Sequence, residues 1–137
     1  LAPLPMPVYV VPGHHDRRDT LLARFESQGK HSMPGFMQYV VDDFPVRLIS
    51  LDTHVPGTDT GELCAERLAW LEARLTEAPS KPTLLLLHHP SFDTGLRVLD
   101  ELGLKGRDAL GATVAPHASR ASASRSACSR SIAVPNS

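Results

Sequence analysis

An α/β fold is the class this sequence predicts, and three observations predict it. Two apolar runs, Val8-Tyr9-Val10-Val11 and Thr83-Leu84-Leu85-Leu86-Leu87, each stop at a polar tip, His14-His15-Asp16 and His88-His89. Runs of β-formers that hand polar groups to a sheet edge are the usual frame of an α/β site. Between them, Glu62 to Ala78 carries a helical period and leads straight into the second run, so strand, helix, strand is the recurring unit.

The 137 residues suffice for one domain or part of one. Hydrophobic residues at 42%, charged residues at 21% and a net charge of −1 describe an ordinary globular chain, with no basic surface for a nucleic-acid polymer or an anionic membrane. Cys64 and Cys128 stand far apart in unlike contexts, which predicts no disulfide and a reducing, cytoplasmic setting. The start lacks the basic and long apolar regions of a secretory signal, and Leu84 to Leu87 is far short of the about 20 residues of a membrane span, so a soluble protein is expected.

In chain order, Leu1 to Pro7 alternates proline with apolar residues and reads as an extended connector. A chain that begins this way and enters a strand at once reads as starting inside a larger domain. Leu21, Leu22 and Phe25 have the spacing of a core-facing helix, with Asp16 or Asp19 as its N-cap. Gly29 to Gly35 is a loop. Phe36 to Val41 and Pro45 to Leu51 form an antiparallel hairpin, whose second strand ends at Asp52-Thr53-His54.

Cys64, Leu68, Leu71 and Leu75 then share one helical stripe beside Trp70, and Pro79 closes the helix. The Thr83 to Leu87 run is continuously apolar and is expected to be a central strand covered on both faces. Short helices are expected over 96–104 and 107–115. The domain therefore spans residues 1–115, and residues 116–137, an Ala/Ser/Arg mixture with almost nothing to bury, form a tail expected to be disordered or loosely attached.

Histidine is the commonest transition-metal ligand, and strand tips are good places for it. Taken singly, His14, His15, His88 and His89 are each more often hydrogen-bonded loop residues; two pairs at two tips are what raises a metal reading. His31, His54 and His117 keep the reading of loop histidines. Asp16 has two readings, a carboxylate that orients an imidazole or a helix cap. Arg17 and Arg18 are solvated arginines at a helix start, with a phosphate-facing role as the alternative.

Pro12-Gly13-His14-His15-Asp16 resembles the Gly-Asn-His-Asp/Glu motif of calcineurin-like metallophosphoesterases, and Leu87-His88-His89-Pro90 resembles their His-His-Pro motif. Pro45 to Thr53 and Gly61 to Leu71 are similar to the bacterial class III cyclic nucleotide and glycerophosphodiester phosphodiesterase branch. The resemblance covers roughly Leu4 to Val114, and the ordered combination is more specific than either motif alone. It implies an α/β/β/α sandwich, here incomplete, and hydrolysis of a small phosphodiester by a hydroxide held on two ions of iron, manganese or zinc about 3.5–4 Å apart.

By position, the resemblance makes His14 a metal ligand in place of an asparagine, His88 a second metal ligand, and His15 the catalytic histidine that contacts phosphate and assists the leaving group. Asp16 and His89 fall beside the metal ligands. The chain departs from the pattern at three places: His14 replaces the asparagine, the Asp-x-His and Gly-Asp motifs are absent from residues 1–137 and would lie before Leu1, and no Gly-His-x-His motif occurs over 120–131. An internal piece of a phosphoesterase gene, out of frame near its end, is the expectation that accounts for these. The rival expectation is a catalytically inactive fragment that pairs with another subunit through the hairpin, as a homo-oligomer; a mononuclear zinc hydrolase is a third.

Overall fold

The computed structural model describes residues 6–25 and 28–128. Most of the expected connector and the last part of the expected tail, residues 129–137, lie outside the described residues. In chain order the elements are α1 (Arg18–Arg24), β1 (Tyr39–Val41), β2 (Arg47–Ser50), β3 (Gly61–Glu62), α2 (Ala65–Glu77), β4 (Thr83–Leu86), α3 (Arg97–Leu102), β5 (Leu104–Lys105) and α4 (Arg107–Cys128). The content is mixed α/β.

A three-stranded sheet has the order β1-β2-β4. β1 and β2 form the expected antiparallel hairpin, with Val40 opposite Ile49. β4 lies parallel to β2, Ile49 beside Leu85, so α2 is the crossover of a β2-α2-β4 unit. β3 and β5 make a separate two-stranded parallel pair. The outer side of β1 is met by Lys30, which exchanges backbone hydrogen bonds with Val40 in both directions.

Side chains alternate across the sheet and split the core into two clusters. Val40, Ile49 and Leu51 pack with Leu71 and Leu75 of α2 and Leu110 of α4 on one side. Tyr39 and Val41 pack with Leu21, Leu22 and Phe25 around α1 on the other. The α2 stripe is as the periodicity predicts: Leu71 and Leu75 are buried, and Leu68 and Trp70 pack half-buried beside them.

Four expectations are corrected. Among the described residues Val8 to Val11 joins no strand ladder; its backbone is held instead by the Gln28 side chain, which bonds Val8 O and Val10 N, and by the Tyr39 hydroxyl, which donates to Val10 O at 2.8 Å. Among the described residues β4 lies at the edge of its sheet: Leu85 packs into the α2 cluster, but the α1 cluster stops at Leu48, and Leu84 is 52% exposed. Neither Asp16 nor Asp19 caps α1, whose N-cap is Arg17 without a side-chain bond. His117 lies in α4 and not in a loop.

The last helix also runs past Ala115, where the composition suggests a tail, and reaches Cys128 with Pro116 inside it. Alanine favours the helix, while the proline removes one of its hydrogen bonds.

Candidate metal centre

The two parallel strands β2 and β4 point their carboxyl ends the same way, and both end in polar residues: Asp52-Thr53-His54 after β2 and His88-His89 after β4. The loop before α1 brings His14 to the same edge. This is where ligands sit in α/β sheets, because the strands stop and the loops leave a crevice.

His14 Nδ1 and His88 Nε2 are 2.9 Å apart, although 74 residues separate them in the chain. His89 completes a cluster in which one ring nitrogen of each of the three lies within 4.8 Å of the others. The ring of His15 lies 4.1 Å from that of His14, centroid to centroid, but His15 does not belong to the cluster. Among the described residues Asp16 hydrogen-bonds the Gly13 backbone and no imidazole: its Oδ2 accepts from Gly13 N at 2.7 Å, while its own N–H donates to Gly13 O. It closes the turn that presents His14 and His15.

His89 is buried and doubly engaged. Its Nδ1 is 2.7 Å from Thr53 Oγ1, and its Nε2 is 3.2 Å from the carbonyl of Asp59. A carbonyl can only accept, so Nε2 carries the proton and Nδ1 accepts from the hydroxyl. Gly61 is what lets the ring in: a Cβ there would stand 2.4 Å from the imidazole of His89.

Burial lowers the pKa of His88, and the charge of the neighbouring His14 ring lowers it further. The same two causes act on His89, with His88 as the neighbour. Both shifts favour the neutral ring, which is the form that binds a metal.

The donor set fits one imidazole-bound transition ion. Two nitrogens on a tetrahedral zinc stand ~3.3 Å apart, so the His14–His88 pair is within a few tenths of an ångström of the required spacing. His89 would have to give up a hydrogen bond to join them. Among the described residues no carboxylate belongs to the cluster, so these donors account for one ion and not for a carboxylate-bridged pair.

Asp52 is the site residue that sequence reasoning treated only as part of a polar tip. It is fully buried and takes a forked pair of bonds from Arg18, Nε to Oδ2 at 2.6 Å and Nη2 to Oδ1 at 3.1 Å. It also accepts from the backbone of Met37 and His54. Arg67, buried on α2, donates to the carbonyl of Asp52 at 2.7 Å. Arg18 and Arg67 stack on the ring of Phe36, each 4.9 Å from its centroid. This network ties α1, the hairpin and α2 to the loop that carries Thr53 and His54. No local pattern could reveal it, because Arg18 and Asp52 are 34 residues apart.

His14 borders two clefts. One, of about 520 Å³, is lined by Arg17, Arg18 and His54, whose buried Nδ1 has no hydrogen-bond partner among the described residues. The other, of about 380 Å³, lies against His88 and His89 and has an apolar wall.

No protein-family model matches the chain. Among curated proteins, a probable glycerophosphodiester phosphodiesterase of Arcobacter nitrofigilis is 39% identical over 108 residues, 78% of this chain and 40% of that protein. A probable cyclic nucleotide phosphodiesterase of Rhodopseudomonas palustris is 40% identical over 112 residues, 80% of this chain and 40% of the relative. The 3',5'-cyclic adenosine monophosphate phosphodiesterase CpdA of Escherichia coli is 33% identical over 113 residues, 81% and 40% respectively. The chain thus spans about two fifths of the length of the relatives it matches. Its homologues are the cyclic nucleotide and glycerophosphodiester phosphodiesterases of the bacterial metallophosphoesterase branch.

Proposed function

We propose that this chain is the histidine-bearing part of a metal-dependent hydrolase of small phosphodiesters, a cyclic nucleotide or a glycerophosphodiester, working in the cytoplasm. The observation that carries the reading is the meeting of His14 with His88 at 2.9 Å, in a chain whose relatives are named phosphodiesterases. The sheet with α2 and α4 on one side and α1 on the other is then one part of an α/β/β/α sandwich.

His14 and His88 would hold a divalent transition ion, iron, manganese or zinc. Such an ion supplies Lewis acidity toward a phosphoryl oxygen and makes water a nucleophile at neutral pH. The protein's own share is positional and protonic. Neutral His88 offers Nε2, and the Asp16 turn holds His14 against it. His15 is exposed beside His14 and donates a proton to the departing alkoxide. His89, fixed by Thr53 and Asp59, forms the floor beneath the pair.

Turnover of bis-p-nitrophenyl phosphate with added manganese tests this reading. Manganese-dependent release of p-nitrophenol that falls at least a hundredfold in His15→Ala supports it. No turnover with any of the three metals removes it and leaves the second reading, a catalytically inactive unit that holds one ion. That second reading is favoured by one observation, the lack of a carboxylate in the cluster among the described residues.

A further inference from the structure

We infer that the ester arm received beside His88 is an aromatic one, with Phe92 as its specificity-determining contact; this rests on the phosphodiesterase reading above. His14 lines both clefts, so a phosphorus held at His14 sends one arm of the ester into each. The cleft of about 380 Å³ beside His88 is lined mainly by the apolar side chains of Leu87, Phe92, Leu99 and Leu102, with Asp59 and Ser91 as its polar groups besides the histidines.

That wall is open to water where a core residue would be covered. Phe92 is 68% exposed and Leu99 42%. The exposure does not come from an unanchored loop. Asp100 Oδ1 accepts from both the N–H and the hydroxyl of Thr94, at 2.7 and 2.8 Å, and its Oδ2 accepts from Gly95 N at 3.1 Å. Arg107 pairs with Asp93 beside them. The loop that carries Phe92 is thus pinned to the start of α3 on one side and to α4 on the other.

A phenyl ring held out over a cleft that ends at a histidine cluster is a stacking platform. An aromatic alcohol or a nucleobase covers Phe92 and Leu99 and releases the water over them. Glycerol presents hydroxyls to the same cleft, where only Asp59 and Ser91 among the non-histidine lining side chains can bond them, and hydroxyls left against Leu87, Phe92, Leu99 and Leu102 lose hydrogen bonds that water would give them. Of the two ester classes, the aromatic one matches this surface.

Affinities for phenyl phosphate, glycerol 3-phosphate and inorganic phosphate on the manganese-loaded chain, by calorimetry, test the inference. Phenyl phosphate should bind about tenfold more tightly than the other two. Phe92→Ala should abolish the preference and leave manganese uptake and inorganic phosphate binding unchanged, and Phe92→Tyr should keep it. Equal affinities, or a preference that survives in Phe92→Ala, overturn the aromatic arm while leaving the phosphodiesterase reading intact. A second arm needs no metal: phenol, but not glycerol, should shift the ring signals of Phe92 in the metal-free chain. No shift at millimolar phenol overturns the inference whether or not the metal is taken up.

Discussion

Thr53 Oγ1 and His89 Nδ1 are 2.7 Å apart, a buried hydrogen bond that joins the loop after β2 to the loop after β4. The Asp59 carbonyl fixes the proton on Nε2 of His89, and the Thr53 hydroxyl satisfies the Nδ1 that is left as acceptor. Thr53→Val removes the donor but keeps the shape, leaving a buried nitrogen unpaired. A loss of about 1–3 kcal/mol in urea unfolding is expected, and Thr53→Ser should recover most of it.

Gly61 makes a different kind of demand on the same ring. A methyl group there would stand 2.4 Å from His89, far inside contact distance, and the imidazole cannot retreat because both its nitrogens are engaged. Gly61→Ala should therefore cost about 1–3 kcal/mol. It should also shift the NMR signals of His88 and His89, whereas Gly111→Ala, where the added Cβ meets nothing within 4 Å, should leave them in place.

Asp52 and Arg18 form a forked ion pair with the carboxylate fully buried, and Asp52 bonds two backbone N–H groups as well. Asp52→Ala leaves both amides unpaired and the guanidinium without its counter-charge, with only its bond to the His54 carbonyl, and a destabilisation of about 3–5 kcal/mol is expected by chemical denaturation. Arg18→Ala should cost as much or nearly so, and the double variant less than the sum of the two singles.

Tyr39 links the core to the loop ahead of His14. Burial pushes its phenol above the ordinary tyrosine value, while its hydroxyl donates to Val10 O. The folded state therefore holds this proton more tightly than the unfolded chain does. The stabilisation is complete below the unfolded tyrosine value of about 10 and is lost as pH rises through the higher folded value. A stability–pH curve should fall above the unfolded tyrosine value of about 10 in the wild type, and the fall should be shallower in Tyr39→Phe.

The readable part of this fold is what local pattern controls. The Leu68, Leu71 and Leu75 stripe could only be a helix, and β-formers separated by Asp42-Asp43 could only be a hairpin. The histidine pairs were visible because each ends an apolar run. Coverage was not readable: four successive leucines look alike, and nothing in them says that the face of Leu84 stays open. Val8 to Val11 has strand composition, yet the Gln28 side chain supplies the partners a ladder would have supplied. The bonds that set the site, Arg18 to Asp52 and Thr53 to His89, join residues 34 and 36 positions apart and leave no periodic trace.

The central claim is that His14 and His88 grip one transition ion together, and metal content measured by plasma emission after dialysis against zinc or manganese tests it most directly. One equivalent in the wild type, falling below a tenth in His14→Ala and in His88→Ala but retained in His31→Ala, is the predicted result. No stoichiometric uptake in the wild type, or uptake that survives in the His14→Ala/His88→Ala double variant, would contradict it.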